Sequence, residues 1–217
     1  MITVKLFTVN MVRENCYVVS DETGSAVIID CGAYYEHEKA DIRKYIDENG
    51  LHPQHSLCTH GHFDHIFGEG FVYETYGLKP EISSADARLY NHCEEQMLQF
   101  LGIAGKYDLP QIGVFLDERS AIDFGNHTLT VIPTPGHTAG GVSFYCSQEK
   151  MLFSGDSLFR QSVGRTDFPG GNEETLLSAI EQKILTLPPE VAVLPGHGPA
   201  TSVGYEKLNN PFFKTTY

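Results

Sequence analysis

The densest chemistry in the chain lies in seven consecutive residues, Thr59-His60-Gly61-His62-Phe63-Asp64-His65, four of which are metal-ligand types. His60 and His62 are two apart, so in extended backbone they project to one side and can share an ion. Gly61 between them lets the chain turn tightly. Asp64 and His65 point differently from that pair and can serve a second ion a few ångströms away. The spacing therefore predicts a two-metal site. Residues 54–58 lead into it, ending in apolar Leu57 and Cys58, and read as a buried strand.

Three further segments repeat one pattern: an apolar run, a small-residue turn, then a ligand. Thr130-Val131-Ile132-Pro133-Thr134-Pro135-Gly136 leads to His137, Met151-Leu152-Phe153-Ser154-Gly155 to Asp156, and Val191-Ala192-Val193-Leu194-Pro195-Gly196 to His197. Open sheets collect ligands just beyond the carboxyl ends of their strands. Convergence of these ends would put His60, His62, His65, His137, His197, Asp64 and Asp156 in one cleft. Asp30 closes another buried run, Ala26-Val27-Ile28-Ile29. It is either a partner that orients a ligand histidine or an acid that stabilises its own loop.

The elements that must position these residues follow from periodicity. Residues 2–9 and 16–20 form an antiparallel pair, and residues 36–49 an amphipathic helix with Ile42, Tyr45 and Ile46 on one side. A second helix is expected from Phe63 to Tyr76 and a third over 84–101. The glycine-bearing stretch to Val114 then either overhangs the cleft as a lid or packs on the surface. Strands follow at 122–124, 128–132, 142–146 and 151–153, with Gly125-Asn126 as a hairpin turn. Asn172 caps a last amphipathic helix. No composition break divides residues 1–217, so one domain is expected: two similar halves packed sheet to sheet, helices outside.

Bulk composition excludes several functions. A formal charge of −13 argues against a nucleic-acid partner, which needs a basic surface. No apolar stretch approaches the roughly 18 residues of a membrane span, and the opening lacks a signal-peptide apolar core. The five cysteines are scattered without metal-site spacing, which fits reduced thiols and a cytoplasmic location.

His60-Gly61-His62-Phe63-Asp64-His65, Thr134-Pro135-Gly136-His137, Ser154-Gly155-Asp156 and Pro195-Gly196-His197-Gly198-Pro199 together resemble the metallo-β-lactamase fold superfamily, and within it the glyoxalase II-like hydrolases. The resemblance implies a four-layer αββα sandwich with metals at one edge of the sheets. It implies His60, His62 and His137 around one metal, Asp64, His65 and His197 around the other, and Asp156 bridging. An acid at 156 differs from lactamases that place a thiolate there. The loop around Val163-Gly164-Arg165-Thr166-Asp167-Phe168 is similar to the segment carrying a basic glutathione contact, so Arg165 has that role or simply pairs with Asp167. The end of the chain soon after Phe213 matches the compact bacterial variety.

The activity implied is attack by a metal-bridging hydroxide, oriented by Asp64, on a small-molecule anionic thioester such as S-lactoylglutathione. Two Zn²⁺ ions are expected, with Fe or Mn also suited to these ligands. Two alternatives are a persulfide dioxygenase of the same fold, with one Fe(II) on His60, His137 and Asp156, and a metal-bound sensor without turnover.

Overall fold

Apolar runs too short for helices make up most of the buried sequence, and they assemble as two facing sheets. In a computed structural model describing residues 1–214, the first sheet holds β1 (Thr3–Val9), β2 (Glu14–Ser20), β3 (Ser25–Ile29), β4 (His52–Leu57), β5 (Pro80–Ser83) and β6 (Val114–Leu116), in that spatial order. β1 to β3 pair antiparallel, whereas β3 to β6 pair parallel. Parallel neighbours need crossover connections. These carry α1 (Glu36–Glu48), then α2 (Phe63–Ile66) and α3 (Glu69–Tyr76), then α4 (Ala87–Asn91) and α5 (Cys93–Leu101).

The second sheet contains β7 (Ala121–Phe124), β8 (His127–Pro133), β9 (Val142–Cys146) and β10 (Met151–Gly155). A ribbon of β11 (Leu158–Phe159) and β12 (Ser162–Val163) precedes α6 (Glu173–Ala179). β13 (Ala192–Pro195) then joins parallel to β10, followed by β14 (Thr201–Ser202) and α7 (Val203–Asn209). The order across this sheet is β14-β13-β10-β9-β8-β7.

β3 shows how the layers form. Val27 and Ile29 pack with Phe124, Leu129, Phe144 and Phe153 between the sheets, while Ala26 and Ile28 pack with Ile42, Ile46 and Val72 of α1 and α3. A strand buried on both faces has a continuous apolar run. Leu152 and Val193 cover the outer face of the second sheet with Leu176, Ile180 and Ile184. The result is the expected αββα sandwich. Among the described residues, no helix is long and apolar enough to cross a membrane.

Two expected helices are broken. The helix over 63–76 splits before Glu69 because Gly68 is pressed onto Cys31, where a Cβ would lie 2.5 Å from the thiol sulfur. The helix over 84–101 becomes a short 3-10 turn, α4 and α5, with the break at His92. Residues 102–113 pack rather than overhang: Tyr107, Leu109 and Ile112 lie against the core around Phe67. It is the end of α5, Phe100 and Leu101, that reaches the cleft.

Two buried acids anchor the elements around the expected ligands. Asp86 is 1% exposed. Its carboxylate accepts from the Gly61 amide at 3.0 Å, the Thr138 hydroxyl at 2.7 Å and the Gly140 amide at 2.6 Å. It therefore ties the His60–His62 turn to the His137 turn. Removing one partner leaves buried donors unsatisfied. Asp86→Ala should lower stability by about 2–3 kcal/mol in urea denaturation of the metal-free protein.

Glu69, wholly buried, accepts from Ser56 of β4 at 2.9 Å. Burial outweighs the hydrogen bonds from Ser56 and Cys58 and lifts its carboxyl to about 8. The folded chain thus keeps a proton that the unfolded chain releases above about pH 4.5. Stability supplied at low pH is lost as pH rises from there to about 8. Glu69→Gln should flatten that decline when melting is followed across the window; an unchanged slope would show that Glu69 does not titrate there.

Candidate metal centre

Each expected ligand sits where a strand of the buried sheets ends. β4 ends before His60 and His62, β8 before His137, β10 before Asp156 and β13 before His197. α2 begins just after His62 and carries Asp64 and His65. Local geometry makes the turns sharp. Gly155 has φ +49°, and a Cβ there would lie 2.3 Å from the Thr59 hydroxyl. Gly136, at φ +129°, lies where a Cβ would meet Leu176 at 2.4 Å. Only glycine fits both positions.

The side chains converge as expected. His60, His62 and His137 bring one nitrogen each within 4.8 Å of one another, and Asp64, His65 and His197 do the same with their own ligand atoms. Asp156 lies between the two groups. Its oxygens are 3.6 Å from His137 Nε2, 3.5 Å from His65 Nε2 and 3.7 Å from His197 Nε2. Asp64 Oδ2 is 3.2 Å from His197 Nε2.

Hydrogen bonds behind the rings set their tautomers. The single hydroxyl proton of Thr59 goes to Asp30 Oδ2 at 2.7 Å. Thr59 therefore accepts from His60 Nδ1 at 3.0 Å, which leaves His60 Nε2 a bare lone pair. Asp30 Oδ2 also accepts from His65 Nδ1 at 3.0 Å. The Arg165 carbonyl accepts from His137 Nδ1 at 2.6 Å. Such outer contacts fix ring orientation. Asp30 thus bonds the His65 ring and, at 2.7 Å, the Thr59 amide of the loop after β4.

Electrostatics favours cation binding. Burial, then the neighbouring imidazoles, drives His60 well below its usual range. Burial, then His137, takes His62 down to about 3. Both present neutral rings at pH 7. Burial pushes Asp156 up, yet His65, His197 and His137 outweigh it and hold the carboxylate far below its usual range. Burial pulls His65 down, but Asp64, Asp156 and Asp30 more than reverse that.

The buried atoms His60 Nε2, His65 Nε2 and Asp156 Oδ1 have no hydrogen-bond partner among the described residues. Buried polar atoms normally find one. His62 Nδ1 and His137 Nε2 approach to 2.9 Å, a distance that a shared proton or a shared cation resolves. The neutral, orphaned His60 nitrogen beside low-pKa carboxylates belongs to the donor set that divalent transition metals take, and at His65 the same acids that favour a proton would favour a metal cation in its place.

The centre opens into a cleft of about 440 Å³, walled by Val12, Phe63, Phe100, Phe159 and Phe168. Arg165 stands at its rim, 66% exposed, paired with Asp167 at 2.7 Å and stacked over Phe168 at 4.3 Å. The ion pair is therefore formed, and it holds the guanidinium beside the cleft. Cys31 packs in the core cluster with Cys16, Ile28 and Ile42, and all five cysteines are free.

Several contributors carry no sequence signal. Asn15 donates to the carbonyls of Pro195 and Gly198 at 3.0 and 2.9 Å, and the Tyr17 hydroxyl to Pro195 at 2.7 Å, clamping the His197 turn to β2. Asn10 donates to the Asp64 carbonyl at 2.8 Å. Glu14, 0% exposed, has neither carboxylate oxygen hydrogen-bonded among the described residues and lies 3.9 Å from His65 Nδ1.

Known proteins share this fold. The family model described as "Metallo-beta-lactamase superfamily" matches residues 10–197. Hydroxyacylglutathione hydrolase GloC of Haemophilus influenzae is 32% identical over 98% of both chains. The crystal structure of BLEG-1, a B3 metallo-beta-lactamase, superposes with a TM-score of 0.90 at 33% identity, covering 98% of this chain and 100% of that one. TTHA1623 in a di-iron-bound form gives 0.84 at 36% identity, over 96% of this chain and 100% of that one. With the family model matched over most of the chain and relatives matched over nearly their full length, the chain belongs to the metallo-beta-lactamase superfamily and is one of its metallo-hydrolases.

Proposed function

We propose that the chain is a dinuclear thioesterase acting on anionic thioesters such as S-lactoylglutathione. The observation that carries this reading is Asp156, whose Oδ2 lies between His137 of one group and His197 of the other, at 3.6 and 3.7 Å, while Oδ1 faces His65 and has no hydrogen-bond partner among the described residues. His60, His62 and His137 would hold one ion and Asp64, His65 and His197 the other, with Asp156 shared. Zinc suits these nitrogen and oxygen donors, as do iron and manganese; the di-iron form of TTHA1623 supports iron as the competitor. Such ions polarise a carbonyl and lower the pKa of bound water from 15.7 to about 7.

The chain's own groups explain the choice of leaving group. Apart from the proposed ligands, the only titratable side chain lining the cleft among the described residues is Arg165, already paired with Asp167. No spare acid stands ready to protonate a poor leaving group. A thiolate, with an intrinsic pKa near 8.5, departs without one. Aromatic side chains wall the cleft around the reacting carbonyl, and Asp64 would orient the nucleophile. The GloC relative supports a glutathione thioester as substrate. Buried free thiols support a reducing, cytoplasmic setting, and the acidic surface favours a small-molecule substrate over nucleic acid.

Elemental analysis of protein from its native host should find two divalent ions per chain, with hydrolysis of S-lactoylglutathione. Asp156→Ala should abolish it by about a thousandfold or more while the fold is retained. One iron per chain with oxygen uptake on glutathione persulfide would replace this reading with a dioxygenase. Turnover of a cephalosporin but of no thioester would replace it with a lactamase, and no turnover of any of these with a sensor.

Asp30→Asn should weaken metal binding by about 10- to 100-fold, measured by competition with a chelator. An unchanged affinity would mean that the Asp30 contacts do not support the ligands.

A further inference from the structure

A second cavity of about 500 Å³ lies beside the cleft, between α4–α5 and residues 168–170. The two share His62, Phe100 and Phe168 as walls. Phe100 and Phe168 meet edge to face at 4.8 Å and form the partition between them. A ligand reaching past that pair from the metal centre would enter the second cavity directly.

The charged groups lining it fall into two kinds. Asp86 is spent on the Gly61 and Gly140 amides and the Thr138 hydroxyl. Arg88 and Glu95 are not spent. Arg119 and Arg165 pair with neighbouring aspartates, whereas the Arg88 guanidinium has no ion-pair or hydrogen-bond partner among the described residues. Glu95 has only a 3.9 Å approach from His92, and is 79% exposed. A simple anion entering here would meet Glu95 and Asp86, and a simple cation would meet Arg88. A zwitterion complements both.

We propose that this cavity is the subsite for the thiol carrier, selecting carriers that end in an α-amino carboxylate, with Arg88 taking the carboxylate and Glu95 the ammonium. The inference rests on the thioesterase reading for its chemistry, and adds to it where the carrier lies and what distinguishes it. The acyl group then occupies the cleft against Val12 and Phe159, with the scissile carbonyl at the ligand cluster. Cavities of this size commonly enclose small ligands, with a few polar groups fixing orientation.

S-methylglutathione, a thioether that cannot be hydrolysed as a thioester, separates binding from turnover. Calorimetric titration of the purified holoprotein should show binding that Arg88→Ala and Glu95→Gln each weaken by about three- to tenfold, as removal of an exposed charge contact does. Arg88→Lys should recover part of the loss. In kinetics with S-lactoylglutathione, KM should rise by a similar factor with kcat unchanged. KM for the neutral S-acetyl-N-acetylcysteamine should not move. No binding by the wild type, or equal losses for charged and neutral carriers, would overturn the subsite. Binding that depends on Arg88 without hydrolysis of any thioester would sink the thioesterase reading and leave the subsite standing. Hydrolysis with a KM indifferent to Arg88 and Glu95 would do the reverse.

Discussion

The carboxylate of Asp30 is the contact on which the ligand cluster depends. One oxygen accepts the Thr59 amide; the other accepts the Thr59 hydroxyl and His65 Nδ1. Through Thr59 it also settles which nitrogen of His60 keeps its proton. A single acid thus aims two imidazoles on two different elements, one in the loop after β4 and one in α2. It does so from a left-handed backbone conformation, φ 51°, at the end of β3. Asp tolerates that region better than most residues, and Asp30 is 2% exposed. The backbone strain is held in place by three hydrogen bonds to the carboxylate.

Much of the site was legible in the chain because metal chemistry demands particular side chains at short spacing. His60, His62, Asp64 and His65 announce themselves within six residues, and the other ligands each follow an apolar run. Asn10, Glu14, Asn15, Glu69 and Asp86 were not legible. Each lies in a segment whose local pattern is complete without it, and its partner is distant: Asn10 reaches Asp64, and Asn15 reaches Pro195, 180 positions away. Glu14 interrupts an otherwise apolar face of β2 shared with Cys16 and Val18. Period alone suggests solvent there, and only the packing of Gly32 over the strand shows otherwise. The split helices have the same origin. Helical periodicity runs through Gly68, but the contact with Cys31 belongs to the tertiary fold.

Arg165 illustrates two readings that turn out to be compatible. Its bond to Asp167 is the structural alternative that the sequence allowed, yet the pair leaves the guanidinium stacked on Phe168 at the cleft rim. An exposed, neutralised pair attracts anions weakly. On a chain with formal charge −13, attraction for an anionic ligand must then come from the loaded cluster itself and from cations without acid partners.

Charge balance also makes sense of Glu14. A carboxylate that is wholly buried with both oxygens unbonded is among the costliest arrangements a fold can hold; burial, against partial relief from His65, lifts its pKa well above the usual range. Asp30 and His65 lie close enough to Glu14 that one atom from each falls within 4.8 Å of the others. Glu14 thus stays protonated beside His65 in the metal-free chain. A cation held at His65 Nε2 would favour the ionised form of Glu14, so that this acid, behind the ring, would offset part of the charge that metal brings into the buried site.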